Sequence, residues 1–326
     1  MKRSAFTLVE LLVVIGVIAI LLGILIPGVS AAREHARRTQ CIAKQRDLAI
    51  AMATHDRESN GLPGYLNQLG ETPMRSWVVP LLPLIGESKR YEYMMEIPPR
   101  ENTPEFPPYA RRVIEATVPL LALLCPSDNP REACRLNYVV NCGPATEHFA
   151  IASVTNGGDI APHFSPFKDR RRILAPPLPP VDLTTINKKV KIEDIPDGAS
   201  NTILLTENVS NVELNVWHLG IPTPPNELLT SAVPPVPTRD SAAVLHLGFT
   251  WVPNWSTAAL QTAYAPNSTA RGPRPSSRHP GTIVAAFADG SARVINNSVS
   301  PTAWFQFVCP DDEKAEKMFS TGGLRQ

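Results

Sequence analysis

The chain begins with Met1-Lys2-Arg3-Ser4-Ala5-Phe6-Thr7-Leu8-Val9-Glu10 and then continues from Leu11 to Ile26 with apolar residues and glycine alone. From Phe6 to Ile26 only Thr7 and Glu10 are polar, and the stretch reaches the length of about 20 residues that a membrane-spanning helix needs. An ionised carboxylate at membrane depth costs about 2.5 to 3.5 kcal/mol on insertion scales. The stretch therefore predicts a spanning helix in which Glu10 has a function beyond anchoring.

The order of the segments indicates which kind of signal this is. A secretory signal peptide has an apolar core of about 7 to 15 residues that is followed by a small-residue cleavage site, whereas here the small residue, Ala5, precedes the apolar run. The segment Ala5-Phe6-Thr7-Leu8-Val9-Glu10-Leu11-Leu12 resembles the class III signal of type IV prepilins and type II secretion pseudopilins.

This resemblance implies processing and assembly. A dedicated prepilin peptidase is expected to cut between Ala5 and Phe6 and to methylate the new N-terminus. Glu10 then faces the amine of Phe6, in the same or a neighbouring subunit, and sets the register of helices in a filament, an arrangement in which an ammonium group offsets the buried carboxylate. The family usually has Gly before the cut; Ala5 is the smallest replacement, so cleavage is still expected.

The charges that flank the helix leave an alternative open, namely an uncleaved signal anchor with Glu10 near the interface. Lys2 and Arg3 precede the helix, but Arg33, Arg37 and Arg38 follow it, so the positive-inside rule alone does not place the C-terminal side outside. The resemblance implies the N-in orientation: a single-pass protein of the bacterial inner membrane whose head is periplasmic, or extracellular after assembly. The implied partners are the prepilin peptidase/N-methyltransferase, other pilin-like subunits and inner-membrane lipid.

We expect an α+β fold, in which a long N-terminal helix packs on an antiparallel, β-rich, pilin-like head with Pro-rich loops. The predicted segments are a leader (1–5), a transmembrane helix (6–29), a helix continuing into the head (30–60) and the head (61–326). Pro27-Gly28 predicts a kink or local break in the helix, and Asn60-Gly61-Leu62-Pro63-Gly64 predicts its end. The second half of the helix could instead be a solvated basic helix near anionic lipid.

The head has alternating turn and strand signals. Proline-rich stretches at 98–108, 176–180 and 222–237 predict surface loops, and 174–180 could be a hinge between two sublobes. Segments predicted as strands are 137–141, 202–207, 248–252, 282–288 and 292–295, whereas 76–85 could be a short helix or extended. Asp289-Gly290 between two apolar runs predicts a two-residue hairpin turn.

A second resemblance covers almost the whole chain. The His279-Pro280-Gly281 and Asp289-Gly290-Ser291 segments look like the His-to-Asp-Gly signature of a large prepilin-like family catalogued as a domain of unknown function. Other blocks fit the same family: Leu124-Cys125-Pro126-Ser127-Asp128, Asn137-Tyr138-Val139, Asp197-Gly198-Ala199-Ser200-Asn201-Thr202 and Thr206-Glu207-Asn208. That family has no firmly assigned activity, so the resemblance places the protein without saying what the head binds.

The signature residues could form a catalytic dyad or part of a metal site, but hairpin geometry favours a structural role. If Asp289-Gly290 is the turn, His279 lies far from it, at the base of the hairpin. We therefore expect Asp289 and Gly290 to form the turn and His279 to hydrogen-bond to backbone.

The five cysteines contain no Cys-x-x-Cys pair, so the sequence predicts no zinc site. Cys125, Cys134 and Cys142 are close enough in sequence for one local disulfide in an oxidising compartment. The odd count leaves a thiol, with Cys41 or Cys309 as the main candidates, and the alternative is that all five are reduced and buried.

No other pattern predicts chemistry. The net charge of +1 does not indicate nucleic-acid binding, and no phosphate loop, nucleophile elbow or His-Glu-x-x-His motif occurs. Asp311-Asp312-Glu313 and the pair Asp194 and Asp197 could bind calcium, but they lack the spacing of a calcium loop. We expect no enzyme activity, no cofactor and no metal.

Two functions of different classes fit the sequence. The first is a structural pilin-like or pseudopilin subunit. The second is a membrane-tethered module that binds a glycan or another ligand, with exposed aromatic residues lining the site. The candidates for that lining are Trp217, Trp251, Trp255 and Trp304, although such residues more often belong to a core.

Overall fold

The computed structural model describes residues 8–67, 75–96, 119–128, 136–144, 166–167, 169–170, 189–209, 248–251, 266–267 and 274–313. Helix α1 spans Leu8–Ser59, α2 spans Ser88–Glu96 and α3 spans Pro301–Val308. The strands are β1 (Leu66–Asn67), β2 (Arg75–Ser76), β3 (Tyr138–Pro144), β4 (Asp169–Arg170), β5 (Ile203–Glu207), β6 (Gly248–Trp251), β7 (Thr282–Phe287) and β8 (Ala292–Asn296).

Helix α1 is continuous over 52 residues, about 78 Å at 1.5 Å per residue. Of the predicted kink or local break at Pro27-Gly28, the break is absent, because the helix continues through both residues. Proline is tolerated inside apolar membrane helices. The predicted end is confirmed: Asn60 and Gly61 take positive φ values of 56° and 142°, and Gly61 N donates to Asp56 O at 2.9 Å.

The two halves of α1 have different surroundings. In the described part of the chain α1 is the one helix that is long and apolar enough to cross a membrane, and none of its most apolar window is buried. Beyond residue 40 one face of the helix packs against the head. The buried positions recur at helical spacing and are Cys41, Gln45, Leu48, Ala49, Ala51, Met52 and His55.

The head is built on a five-stranded sheet with the order β6-β3-β5-β7-β8. The pairings β3/β5, β5/β7 and β7/β8 are antiparallel, whereas β6 runs parallel to β3. A smaller sheet has the order β2-β1-β4. The architecture is α+β, as predicted, with a mixed rather than purely antiparallel sheet.

Helices cover both faces of the five-stranded sheet, and alternate side chains of β7 contact the helices on the two faces. Ile283, Ala285 and Phe287 pack in one core cluster with Trp304 and Phe305 of α3. Ala286 and Ala288 pack in another cluster with residues of α1 and of the 3-10 helix at Val79–Ile85. A strand that is buried on both faces reads as a continuous apolar run, which is why the segment 282–288 has no polar alternation.

The predicted hairpin β7–β8 is confirmed, but its loop has three residues rather than two. Gly290 N donates to Phe287 O at 3.0 Å, and Phe287 N donates to Ser291 O at 2.8 Å. Gly290 has φ +82°, the left-handed residue that ends a type I turn with a bulge. Asp289 holds this loop through its Oδ1, which accepts from Ser291 N at 2.8 Å.

The other predicted strands are found at 138–144, 203–207 and 248–251, and the ambiguous segment 76–85 contains the 3-10 helix. Several predictions lie outside the described residues. They are the proline-rich stretches at 98–108, 176–180 and 222–237, the hinge at 174–180, the leader and cleavage site at Ala5 and Phe6, and the residues Cys134, Trp217 and Trp255.

Candidate functional site: a buried cysteine, histidine and carboxylate cluster

The junction between α1 and the head contains a cluster of polar side chains that the sequence did not predict. Its four central members come from four parts of the chain: α1, the loop after residues 121–123, the end of β5 and the turn before β7. One ligand atom from each lies within 4.8 Å of those of the others. These members are Cys41, Cys125, Glu207 and His279, and each is at most 1% exposed.

The two thiols are in direct contact. Cys41 Sγ lies 2.9 Å from Cys125 Sγ, and Cys125 Sγ lies 3.5 Å from His279 Nε2. A hydrogen bond with Cys41, together with burial, raises the pKa of the Cys125 thiol above its ordinary value. Nearby, Lys44 Nζ donates to Leu121 O at 2.7 Å and to Leu124 O at 2.9 Å, which ties α1 to the loop that presents Cys125.

His279 lies between two carboxylates. Its Nδ1 lies 2.5 Å from Glu34 Oε1, and its Nε2 lies 3.3 Å from Glu207 Oε1. Burial opposes protonation of the ring, but the hydrogen bond with Cys125 and the close contact with negatively charged Glu207 outweigh it and raise the pKa of His279 to about 10. On Glu34, burial is likewise outweighed by hydrogen bonds from His279 and Ser127, which lower the pKa of this carboxyl.

Glu207 is fully buried and has one oxygen turned towards the cluster. Its Oε2 accepts from Val284 N at 3.1 Å, so the carboxylate extends the contact between β5 and β7. Its Oε1 has no hydrogen bond of acceptable geometry within the described residues, although His279 Nε2 is 3.3 Å away. A buried charged oxygen that is poorly satisfied is costly, so it marks the point where a further contact would stabilise the fold.

Asn137 positions the loop that carries Cys125. Its Oδ1 accepts from Cys125 N at 2.9 Å, and its Nδ2 donates to Asp128 Oδ2 at 2.7 Å. Ser127, in the same loop, has its Oγ 3.0 and 3.1 Å from the two oxygens of Glu34. The loop therefore contacts α1 through both Cys125 and Ser127.

The structure corrects two expectations about the signature residues and the cysteines. His279 side-chain nitrogens contact carboxylates and a thiol, not the hairpin backbone, because the base of the hairpin lies against α1. Cys125 lies against Cys41, which we had expected to be a thiol outside any local disulfide. The side chain of Cys142 is instead close to Gly248 of β6. Cys134, the third candidate for a local disulfide, lies outside the described residues.

The other predicted site residues lie apart from this cluster. Asp289 is at the hairpin loop, where it pairs with Arg293 at 3.3 Å, so Asp289 and His279 have different partners. Glu10 lies in the first turn of α1. Trp304, in α3, is 5% exposed and packs in the core with β7, so it does not line a ligand surface. The side chain of Trp251 lies outside the described residues.

The two calcium candidates are neighbours in the fold. Asp197 Oδ2 accepts from Asp312 N at 2.9 Å, and Asp197 N donates to Pro310 O at 3.2 Å. Burial, together with the charges of Asp312 and Asp311, raises the pKa of Asp197 to about 6. These contacts fasten the segment after α3 to the turn before β5.

The sequence missed the cluster because its members are far apart in the chain. Cys41 and Cys125 are 84 residues apart, and Cys125 and His279 are 154 residues apart, so no short spacing rule applies. The sequence signals that could have found it were indirect: Cys41 lies on the buried face of α1, and Glu207 is a charged residue at the end of a strand that begins Ile203-Leu204-Leu205.

Two family models match the chain. The family described as "Protein of unknown function (DUF1559)" matches residues 30–302. The "Prokaryotic N-terminal methylation motif" matches residues 1–26. No curated protein and no solved structure matches the chain. The first match includes the whole cluster, and the second includes the segment with Ala5, Phe6 and Glu10.

Proposed function

Because this chain belongs to the family described as protein of unknown function (DUF1559) and begins with the prokaryotic N-terminal methylation motif, we propose that it is a pilin-like structural subunit. In this proposal a prepilin peptidase cuts between Ala5 and Phe6 and methylates the new N-terminus. Mature subunits then associate through their N-terminal helices into a pilus or a type II secretion-like filament, with the heads outward. The subunit is not an enzyme.

The observation that carries the proposal is the exposed apolar half of α1. Leu8 is 79% exposed and Ile24 is 74% exposed, and none of the most apolar window of the helix is buried. An apolar surface of this size needs a partner. Lipid supplies it for a single subunit, and the helices of other subunits supply it in a filament.

Together the motif and the apolar helix indicate a single-pass, membrane-anchored protein. We further propose that the membrane is the bacterial inner membrane, that the N-terminus is inside, and that the head is periplasmic or extracellular. The buried face of α1 supports this arrangement, because a helix that continues from the bilayer into the core of a head presents that head at a fixed distance from the membrane.

Glu10 gives the proposed assembly its register. A carboxylate within an apolar helix is tolerated when a cation pairs with it, and processing before Phe6 creates an ammonium group four residues away in sequence. When a subunit enters the filament, its N-terminal ammonium group meets Glu10 of a neighbour. Pairing of these charges within lipid favours one axial offset between helices over all others.

The first test is the intact mass and the N-terminal sequence of the protein extracted from its native membrane. A chain that starts at Phe6, with or without an added methyl group, supports the proposed processing. A chain that retains Met1 contradicts it and supports an uncleaved anchor.

The second test is Glu10→Val, with Leu11→Val as the matched control. Both variants should be inserted and cleaved normally, because neither removes apolar character from the helix. We expect Glu10→Val to reduce the filament fraction sheared from cells at least tenfold, whereas Leu11→Val leaves it nearly unchanged. Normal filaments in Glu10→Val would rule out the register role.

A further inference from the structure

The buried cluster joins α1 to three separate parts of the head. Its members come from a helix, a loop, a strand end and a turn, and they converge on one point. A group bound at that point would fasten α1 to the head in a way that none of the pairwise contacts does alone.

The donor atoms are of the types that zinc binds. Two sulfurs, one imidazole nitrogen and one carboxylate oxygen make a soft, four-ligand set, and Zn²⁺ takes such sets in tetrahedral geometry. With bonds of about 2.3 Å to sulfur and about 2.0 to 2.1 Å to nitrogen or oxygen, tetrahedral ligands lie about 3.3 to 3.8 Å apart. The observed separations of 3.5 Å for Cys125 Sγ to His279 Nε2 and 3.3 Å for His279 Nε2 to Glu207 Oε1 fall in this range.

The separation of the two thiol sulfurs lies outside this range. Cys41 Sγ and Cys125 Sγ are 2.9 Å apart, which is shorter than the spacing of two thiolates on zinc by roughly 0.9 Å. Zinc binding therefore requires the two sulfurs to move apart, and rotation of the Cys41 or Cys125 side chain about its χ1 angle is the movement that we propose.

The surroundings fix the ligands as they do in zinc proteins. Glu34 Oε1 lies 2.5 Å from His279 Nδ1, so the carboxylate holds that nitrogen as the N–H donor and leaves Nε2 free to face the cluster. This carboxylate–histidine arrangement orients metal-binding imidazoles. Val284 N holds Oε2 of Glu207 at 3.1 Å, which leaves Oε1 turned towards the same point.

We propose that this point is a closed, structural Zn²⁺ site whose four ligands are Cys41, Cys125, Glu207 and His279. Zn²⁺ enters as the hydrated ion, loses its water ligands and displaces three protons to water, one from each thiol and one from Nε2 of the protonated His279 ring. Two thiolates, one carboxylate and one neutral imidazole then bind it. Glu34 is a positioning residue for His279. All four ligands are protein side chains, so no coordination position remains for a substrate.

A disulfide between Cys41 and Cys125 is the competing use of the same thiols. It accounts for two members of the cluster and leaves Oε1 of Glu207, among the described residues, with its 3.3 Å contact to His279 Nε2 and no hydrogen bond of good geometry. The metal accounts for all four members and for the orientation of His279 by Glu34. The observations therefore favour zinc, and oxidation of the thiols is an outcome that the experiment must detect.

The test uses the full chain, extracted in mild detergent without chelator and without a polyhistidine tag. Elemental analysis should find about one zinc per chain, and a thiol-alkylating reagent should modify Cys41 and Cys125 only after a strong chelator removes the metal. Replacement of zinc by Co²⁺ should produce the intense visible bands of tetrahedral cobalt and a near-ultraviolet thiolate-to-cobalt band.

Variants then identify the ligands. Cys125→Ser and His279→Gln should each lower the metal content at least tenfold, whereas Cys309→Ser, which alters a buried thiol outside the cluster, should leave it unchanged. Glu34→Gln should retain the cobalt spectrum and weaken zinc binding by about 10- to 100-fold, the range found for such outer contacts. If a variant does not fold, the cobalt spectrum of the unaltered chain still shows whether thiolates bind the metal in tetrahedral geometry.

Two results would overturn the proposal. The first is a metal-free chain whose mass is lower by two hydrogen atoms and whose peptide map links Cys41 to Cys125. The second is a chain with both thiols reduced that binds neither Zn²⁺ nor Co²⁺, or that binds cobalt without a thiolate band. None of these measurements depends on processing or filament assembly, so the zinc site and the proposed function are tested separately.

Discussion

His279 illustrates what a single residue's sequence context reveals and what it hides. The His-to-Asp-Gly signature singled out His279, and the predicted hairpin placed it away from Asp289, as the structure does. Its partners could not be predicted, because Glu34 is 245 residues away in the chain and no local pattern connects them. A residue's partners are determined by the fold, whereas its local conformation is determined largely by its neighbours in sequence.

Asp197 gives a pH-dependent prediction at the same scale. Its pKa in the folded protein is raised to about 6 by burial and by Asp312 and Asp311, above the ordinary value of about 3.9 for an unfolded chain. The folded state therefore favours the protonated form. The corresponding stability is fully present below about pH 4 and is lost as the pH rises through about 6.

We therefore expect Asp197→Asn to match the natural protein near pH 4 and to be more stable near pH 7.5, because Asn cannot ionise and still accepts from Asp312 N. The expected gain is about 1 kcal/mol after allowance for solvent screening at a half-buried carboxyl. Thermal unfolding of both proteins at the two pH values measures it. If the stability difference between Asp197→Asn and the natural protein is the same at pH 4 and pH 7.5, ionisation of Asp197 does not affect folding.

At the scale of elements, most of the strands were predictable because their signals are local. The apolar runs and the Asp289-Gly290 turn predict β7 and β8, and the glycine at positive φ explains the turn. The parallel pairing of β6 with β3 was not predictable, because the pairing partner of a strand depends on contacts distant in sequence. The helix also continues through Pro27, so the local break that was predicted there as an alternative to a kink is absent; apolar membrane helices tolerate an internal proline.

Helix α1 offers a direct test of which face belongs to the core. Leu48 is 1% exposed in the core cluster, whereas Ile50, two residues later, is 49% exposed. Leu48→Ala should lower the free energy of unfolding by about 2 to 5 kcal/mol because it leaves a cavity. Ile50→Ala should lower it by less than about 1 kcal/mol.

Denaturant unfolding of the two variants, each compared with the natural protein in the same detergent, measures this difference. Similar losses for both would mean that the helix packs on the head without a preferred face. Since the alternative for this half of α1 was a solvated helix near lipid, the comparison also distinguishes a core helix from a peripheral one.

At the scale of the whole molecule, α1 is both the membrane anchor and part of the head. Its apolar half contacts no described residue of the head closely enough to be buried, whereas its second half supplies Leu48, Ala49 and Met52 to the main core cluster. A division between helix and head at residue 60 therefore crosses the core. The boundary that the structure supports lies near residue 30, before Glu34 and Cys41.

This boundary predicts how truncated chains behave. A chain of residues 30–326 should be soluble and should unfold cooperatively, because it keeps every buried position of α1 and loses only the exposed apolar segment. A chain of residues 61–326 should fail to fold or should aggregate. It lacks the face of α1 that covers β5, β7 and β8, and it lacks Gln45, whose Nε2 donates to Val284 O at 3.1 Å.

Gel filtration and near-ultraviolet circular dichroism show whether each of the two chains is monomeric and folded. A third chain, of residues 38–326, separates the contribution of Glu34 from that of the core face of α1. That chain keeps Cys41 and the core face but removes Glu34, so it should fold with weaker zinc binding than the chain of residues 30–326. A cooperatively folded 61–326 chain would show that α1 is an appended anchor. The core described here would then not require the helix, and the zinc site would lose its role as the fastening between them.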